Sequence, residues 1–238
     1  MVYYRDISNK EENNKQSGLY DLMKDYEGVP LKGPCSLAVN NREGRLLICD
    51  AGFFGSTSLN SQRGSLFLFE LDTKICRPLL LNCLAYPADI IYDEQSSCAY
   101  LVETFTNRVI RLIESPPDIY HSSVFHQFSG RVGPTAIAID ALGNIYVARY
   151  EFQNSDKDEF QNSDKDVDGV ISVLNKDGYL VGELIIPKMP EITGMCIPSE
   201  KKADFLYFTE KSYNGILKIK LSQFAAEIDK MMENNKYY

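Results

Sequence analysis

Tryptophan is absent from the 238 residues, and histidine occurs only at His121 and His126. Both histidines lie in one stretch, "YHSSVFHQF", so a Ser-His-Asp arrangement elsewhere in the chain has no evident base. Cations are in deficit, with 25 Lys and Arg against 33 Asp and Glu, a net charge of −8 and no basic run. Nucleic acid and anionic membrane surfaces need clustered cations, so neither is expected as a partner. No apolar run approaches the ~18 residues of a membrane helix, and the polar start "MVYYRDISNKEENNKQSG" lacks a signal-peptide core. A soluble protein of the cytoplasm or another reducing intracellular compartment is the expectation. The six cysteines (35, 49, 76, 83, 98 and 196) include no C-x-x-C pair and fall mostly in apolar runs, so reduced core thiols are expected rather than disulfides or zinc ligands. No glycine-rich phosphate loop is present.

What the chain does have is an internal repeat. The segments "GPCSLAVNNREGRLLICD", "YPADIIYDEQSSCAYLVE", "GPTAIAIDALGNIYVAR" and "EITGMCIPSEKKADFLYFTE" each read as an apolar strand, a polar turn and a second apolar strand. A third strand follows each of them ("GSLFLFEL", "TNRVIRLI", "DGVISVLN", "NGILKIKL"), and a fourth follows the first three ("ICRPLLLN", "SSVFHQFS", "LVGELIIP"). Pro34, Pro87 and Pro134 open the first three units at spacings of 53 and 47 residues. Four antiparallel strands repeated about every 50 residues are the signature of a β-propeller, so the fold class is all-β with about four blades. The segment "SGLYDLMKDY" is expected to supply the missing fourth strand of the last blade. A polar arm over 1–16, a propeller over 17–221 and a tail over 222–238 follow from this layout. In the tail, Phe224, Ile228, Met231 and Met232 fall at helical spacing and predict a short amphipathic helix that contacts the propeller or a protein partner.

The octapeptide "EFQNSDKD" occurs twice in tandem over 151–166, adding −4 to the charge of a loop before the third strand of the third unit. Its end runs into "SDKDVDGVIS", where Asp164, Asp166, Asp168 and Gly169 match the opening of an EF-hand calcium loop. The twelfth position is Asn175, ~20 Å along an extended strand, beyond the reach of one ion. A hairpin turn that holds a cation weakly at most is the expectation.

In a propeller blade the start of the first strand and the end of the second meet on one face around a central channel. The residues that fall there are Lys32, Asp89 and Thr135 at the first position and Asp50, Glu103, Arg149 and Glu210 at the second. An acidic ring of this kind suits a cation or cationic group; the plainer reading is that strand-end charges are solvated.

The phrases "GPTAIAIDALGNIYVARY", "YPADIIYDEQSSCAYLVETFTNRVIRL" and "KGPCSLAVN" resemble the six-bladed propellers of the regucalcin, gluconolactonase and strictosidine-synthase-like group, over residues 30–221. The "VETFTNRVIRL" phrase leans toward the strictosidine-synthase-like branch, and NHL-type propellers share the P-x-x-I-A-[IV]-D strand. For the lactonases of this group the resemblance implies a divalent ion on a Glu, an Asn and an Asp at the channel mouth. Lys32, Ala88 and Thr135 stand at the matching places here, with Asp89 one residue away. Replacement of the ligand set leads to the expectation of a non-catalytic propeller without cofactor, acting as a structural or protein-interaction module. The alternative is a gluconolactonase-type lactone or ester hydrolase using calcium or another divalent ion held by Asp50, Asp89, Glu103 or Glu210.

Overall fold

The structure, a computed structural model, describes residues 3–5, 19–115, 119–130, 133–150, 167–198 and 204–222. Four antiparallel sheets succeed one another along the chain in a propeller arrangement. The first blade is β5 (Pro34–Asn40), β6 (Arg45–Asp50), β7 (Gly64–Glu70) and β8 (Cys76–Leu84). The second is β9 (Pro87–Asp93), β10 (Cys98–Glu103), β11 (Arg108–Ser115) and β12 (Ile119–Gln127). The third is β13 (Pro134–Ile139), β14 (Ile145–Arg149), β15 (Gly169–Leu174) and β16 (Leu180–Ile186), and the last is β17 (Ile192–Cys196), β18 (Phe205–Glu210) and β19 (Gly215–Lys220). Each sheet is ordered first strand to last, with every pairing a hairpin.

The hairpins close where the chain can turn left-handed: Asn107 and Asn214 adopt φ of 57° and 54°, a conformation asparagine tolerates, and Gly143 adopts 85°. The second strand of each of the first three blades is covered on both faces, so it reads as a continuous apolar run, and every residue of β10, "CAYLVE", is buried. Side chains alternate along it. Ala99 and Leu101 pack toward the first blade with Leu47, Leu66 and Leu68, whereas Cys98, Tyr100 and Val102 pack toward the third with Ile137, Ile145 and Val147. A further cluster joins the third blade to the fourth through Ile171, Val173, Leu206 and Phe208. Period-two alternation thus divides each strand between two interfaces, and one-residue slips are penalised on both.

One assignment is corrected. Residues 19–26 do not complete the last blade, which among the described residues has three strands, β17 to β19. Instead β2 (Leu19–Asp21) pairs with β1 (Tyr3–Arg5), and β3 (Asp25–Tyr26) forms a hairpin with β4 (Val29–Pro30). Met23 then covers Leu46, Ile48, Phe67 and Phe69 on the first blade, the face opposite the second blade. This contact buries apolar surface of the segment on the first blade. The duplicated octapeptide, with Asp164 and Asp166, and the tail positions Phe224, Ile228, Met231 and Met232 lie outside the described residues. Among the described residues no helix is long and apolar enough to cross a membrane. All six cysteines are free; Cys49 and Cys98 are buried, but Cys35, Cys83 and Cys196 reach the surface, which corrects the expectation of mostly core thiols.

Candidate active site at the channel face

The carboxylates at the ends of the second strands share one structural task. Asp50, Glu103 and Glu210 are 2%, 0% and 2% exposed. Asp50 accepts the backbone N–H groups of Lys32 and Gly33 at 3.0 and 2.7 Å, Glu103 that of Ala85 at 2.5 Å, and Glu210 those of Glu191 and Tyr213 at 2.9 and 2.5 Å. Each therefore closes the loop that leads into the first strand of its own blade. Glu103 also receives Thr106 Oγ1 and Arg108 Nε, both at 2.6 Å. In the third blade the equivalent residue is Arg149, which pairs with Glu183 at 2.5 Å and lies over the Phe128 ring at 5.0 Å. A ring of carboxylates aimed at a cation is not what the positions form.

The first strands begin with a shared irregularity. Pro34, Pro87, Pro134 and Ile192 each face the end of a second strand, and a register shift follows at once. Each shift leaves one bulged residue, and such bulges re-aim side chains. Cys35 turns its sulfur to Pro87 O at 3.1 Å, and Thr135 donates to Ile192 O at 2.7 Å, so two bulged residues bond to the next blade. Ala88 has no donor, and Thr104 takes over by donating to Pro134 O at 2.7 Å. Gly133 allows this approach, since a Cβ there would come within 1.8 Å of Thr104 O.

Asp89 escapes the pattern. Immediately past its bulge, it accepts Ser36 Oγ at 2.6 Å and its neighbour's N–H, Ile90, at 2.9 Å on one oxygen. The other oxygen accepts Ile137 N–H at 3.0 Å. One carboxylate thus joins the first strands of three blades. Burial raises its carboxyl above the usual carboxylate range, against the lowering effect of its three hydrogen bonds.

The family's metal set does not fit these residues. Lys32, at the first ligand place, directs its ammonium outward along the first blade to Arg63 O at 2.6 Å and to Asn82. Ala88 offers no oxygen, and the Thr135 hydroxyl donates to a neighbouring blade. Among the described residues no grouping of three or more His, Cys, Asp or Glu could hold a metal. Hard cations require several oxygens, and Asp50, Glu103 and Glu210 are occupied by backbone amides. Of the EF-hand-like residues, Asp168 accepts Lys188 N–H at 2.9 Å. Both histidines sit on β12, the outermost strand of the second blade, with His126 Nδ1 on Gly178 O at 2.7 Å.

Sequence reading missed five residues here. Ser36 and Thr104 gain their partners only across blade boundaries, which no local spacing reveals. Phe54 and Tyr86 meet Phe105 in a cluster with ring centroids 5.1–5.8 Å apart, contributed by three separate loops.

No family model matches the chain. Among curated proteins it is similar to Lactonase drp35 of Staphylococcus haemolyticus, 23% identical over 133 residues, or 54% of this chain and 36% of the relative. The Lactonase drp35 of Staphylococcus aureus is 24% identical over 132 residues, again 54% and 36%. The chain thus spans about a third of the length of the curated relatives it matches. Among solved structures, a gluconolactonase from Xanthomonas campestris superposes with a TM-score of 0.61 at 15% identity, over 85% of this chain and 61% of that one. A luciferin-regenerating enzyme gives 0.53 at 20% identity, over 73% and 52%. The chain is a gluconolactonase-like β-propeller by fold, and its sequence resembles lactonases. The expectation of a non-catalytic interaction module is corrected by these matches: the named relatives are lactone-cleaving enzymes.

Proposed function

We propose that the protein hydrolyses lactones or related esters at the channel face. The observation that carries this reading is the match to staphylococcal lactonases over 54% of the chain. Asp89 is the residue suited to the chemistry. A carboxylate has about four lone-pair sites, and three are occupied, which leaves one on the oxygen facing Ile137 to accept a proton from water. Water adds to the carbonyl carbon as its proton passes to Asp89, and the proton returns to the ring oxygen as the carbon–oxygen bond breaks, giving the hydroxy acid. Burial raises the basicity of Asp89 toward neutral pH, where such a base works best. Because the family's ligand set is not kept, no step is assigned to a metal.

The test is initial-rate measurement with gluconolactone, γ-alkyl lactones and phenyl acetate, in chelator and in added calcium, zinc or manganese. Turnover above buffer that falls about 100-fold or more in a folded Asp89→Asn variant supports the reading, a loss in the range of removing a general base. Absence of turnover in every condition overturns it.

A further inference from the structure

Most polar groups at the channel face are occupied, while large apolar side chains beside them are exposed. Asp50, Glu103 and Glu210 hold backbone amides, Thr104 and Thr135 donate to carbonyls, and Lys32 is turned toward Arg63 and Asn82. By contrast, Phe53 and Phe54, in the loop after β6, are 80% and 56% exposed. Phe54 lies edge-on to Tyr86 at 5.1 Å and 5.2 Å from Phe105, so rings from the first two blades form one lip. Tyr86 directly precedes Pro87, and Phe105 follows Glu103 by two residues, which places the lip on the face where β9 begins.

Toward the far ends of the first strands, residues of all four blades line a half-open recess of about 250 Å³, among them Leu37, Val39, Ile91, Ile139, Met195 and Ile197. Leu37 and Val39 are 46% and 39% exposed. Ile91 stands two residues beyond Asp89 on β9, ~7 Å along an extended strand. Asp89 does not itself line the recess, but Ile90 and Ile91, the next two residues of its strand, do, so hydrocarbon lies ahead of a group held there. The volume is below the ~300–1,000 Å³ of drug-sized pockets, which suits a slim chain.

We infer that the substrate is a lactone or ester carrying an alkyl chain that lies in this recess, and not a polyhydroxylated sugar lactone. The inference rests on the hydrolase reading above. A sugar lactone would bring several hydroxyls against Leu37, Val39 and Ile91, where each loses water without gaining a partner. An alkyl chain gains from the same walls, by up to roughly fourfold in affinity per buried methylene.

The experiment compares kcat/KM for γ-lactones of four to twelve carbons with that for gluconolactone. Binding of 1-decanol, which has a chain but no scissile bond, is followed separately by calorimetry. Expected are a rise of about two- to fourfold per methylene to at least eight carbons, gluconolactone at least ~100-fold poorer than γ-decalactone, and a flattened rise in Leu37→Gln. The position is already part-exposed, so this variant spares the fold, and Phe53→Ser on the lip provides a second. A flat chain-length profile, or preference for gluconolactone, overturns the inference and leaves the hydrolase reading intact. Decanol binding that weakens in Leu37→Gln, with no lactone turned over, supports the recess site and sinks the hydrolase reading. Neither binding nor turnover overturns both.

Discussion

Asp89 on β9 accepts the backbone N–H of Ile137 on β13 at 3.0 Å, so one carboxylate ties the second blade to the third. Its raised carboxyl gives this tie a pH signature. In the unfolded chain an aspartate titrates near pH ~3.9. From there up to the raised folded value the folded protein binds more protons than the unfolded one, so this group's contribution to stability falls as pH rises through that window. Asp89→Asn is expected to flatten the difference in urea-unfolding free energy across it. Hydrolysis should switch on over the same interval, since the base must be ionised. A variant whose stability profile parallels the parent across pH 4–7 would show that Asp89 titrates normally.

The strand-end residues are expected to rank by what they hold. Glu103→Ala removes a fully buried carboxylate that serves Ala85 N–H, Thr106 and Arg108, and should cost about 3 kcal/mol, the lower end for a broken buried pair because Arg108 is part-exposed. Glu210→Ala leaves two backbone N–H groups unserved and should cost about 2 kcal/mol. Arg149→Ala, which loses a part-exposed ion pair and a ring contact, should cost about 1 kcal/mol. Chemical denaturation of the three variants checks the order; an equal loss in all three would mean that the amide contacts contribute nothing distinctive.

Much of this architecture was legible in the sequence because it depends on near neighbours. Pro34, Pro87 and Pro134 recur at blade length, and every strand from "PCSLAVN" to "GILKIK" carries its own periodicity. Hairpin pairing follows from such local signals. The site was less legible. Asp50, Glu103 and Glu210 were placed on the right face, yet their partners are backbone amides, which every residue except proline has and no sequence spacing marks. The pairing of Leu19–Asp21 with Tyr3–Arg5 was misassigned for a related reason: three residues of alternation fix a strand but not its partner. The step from a replaced ligand set to loss of activity is the one that the resemblance to lactonases contradicts.

Gly133 tests how closely the second and third blades approach. A methyl there would meet the backbone carbonyl of Thr104, which cannot swing aside while Thr104 Oγ1 bonds Pro134 O. Gly133→Ala should therefore destabilise by about 1–3 kcal/mol, the usual range for overpacking. Thr104→Val, which leaves the carbonyl in place and deletes the hydroxyl, should cost about 1 kcal/mol. Thermal unfolding of both decides the matter. Unchanged midpoints in Gly133→Ala would place the two blades farther apart.

Cys35 connects the channel face to a measurement that needs no substitution. The residue reaches the surface, but its sulfur turns inward to Pro87 O at 3.1 Å, and burial pushes the thiol up to about 11. Nearby Asp89 and Asp50 raise it further. The thiolate is the reactive form, and a thiol titrating near 11 is ionised at pH 7.5 roughly 300-fold less than one near the usual ~8.5. Iodoacetamide should therefore modify Cys35 slowly at pH 7.5, with a rate that climbs about tenfold per unit up to pH 10, while the exposed Cys196 is modified early. Peptide mass mapping over a pH series reads each site separately. Rapid labelling of Cys35 at pH 7.5 would mean that its sulfur is free of Pro87, and that β5 does not pack its first residues against β9.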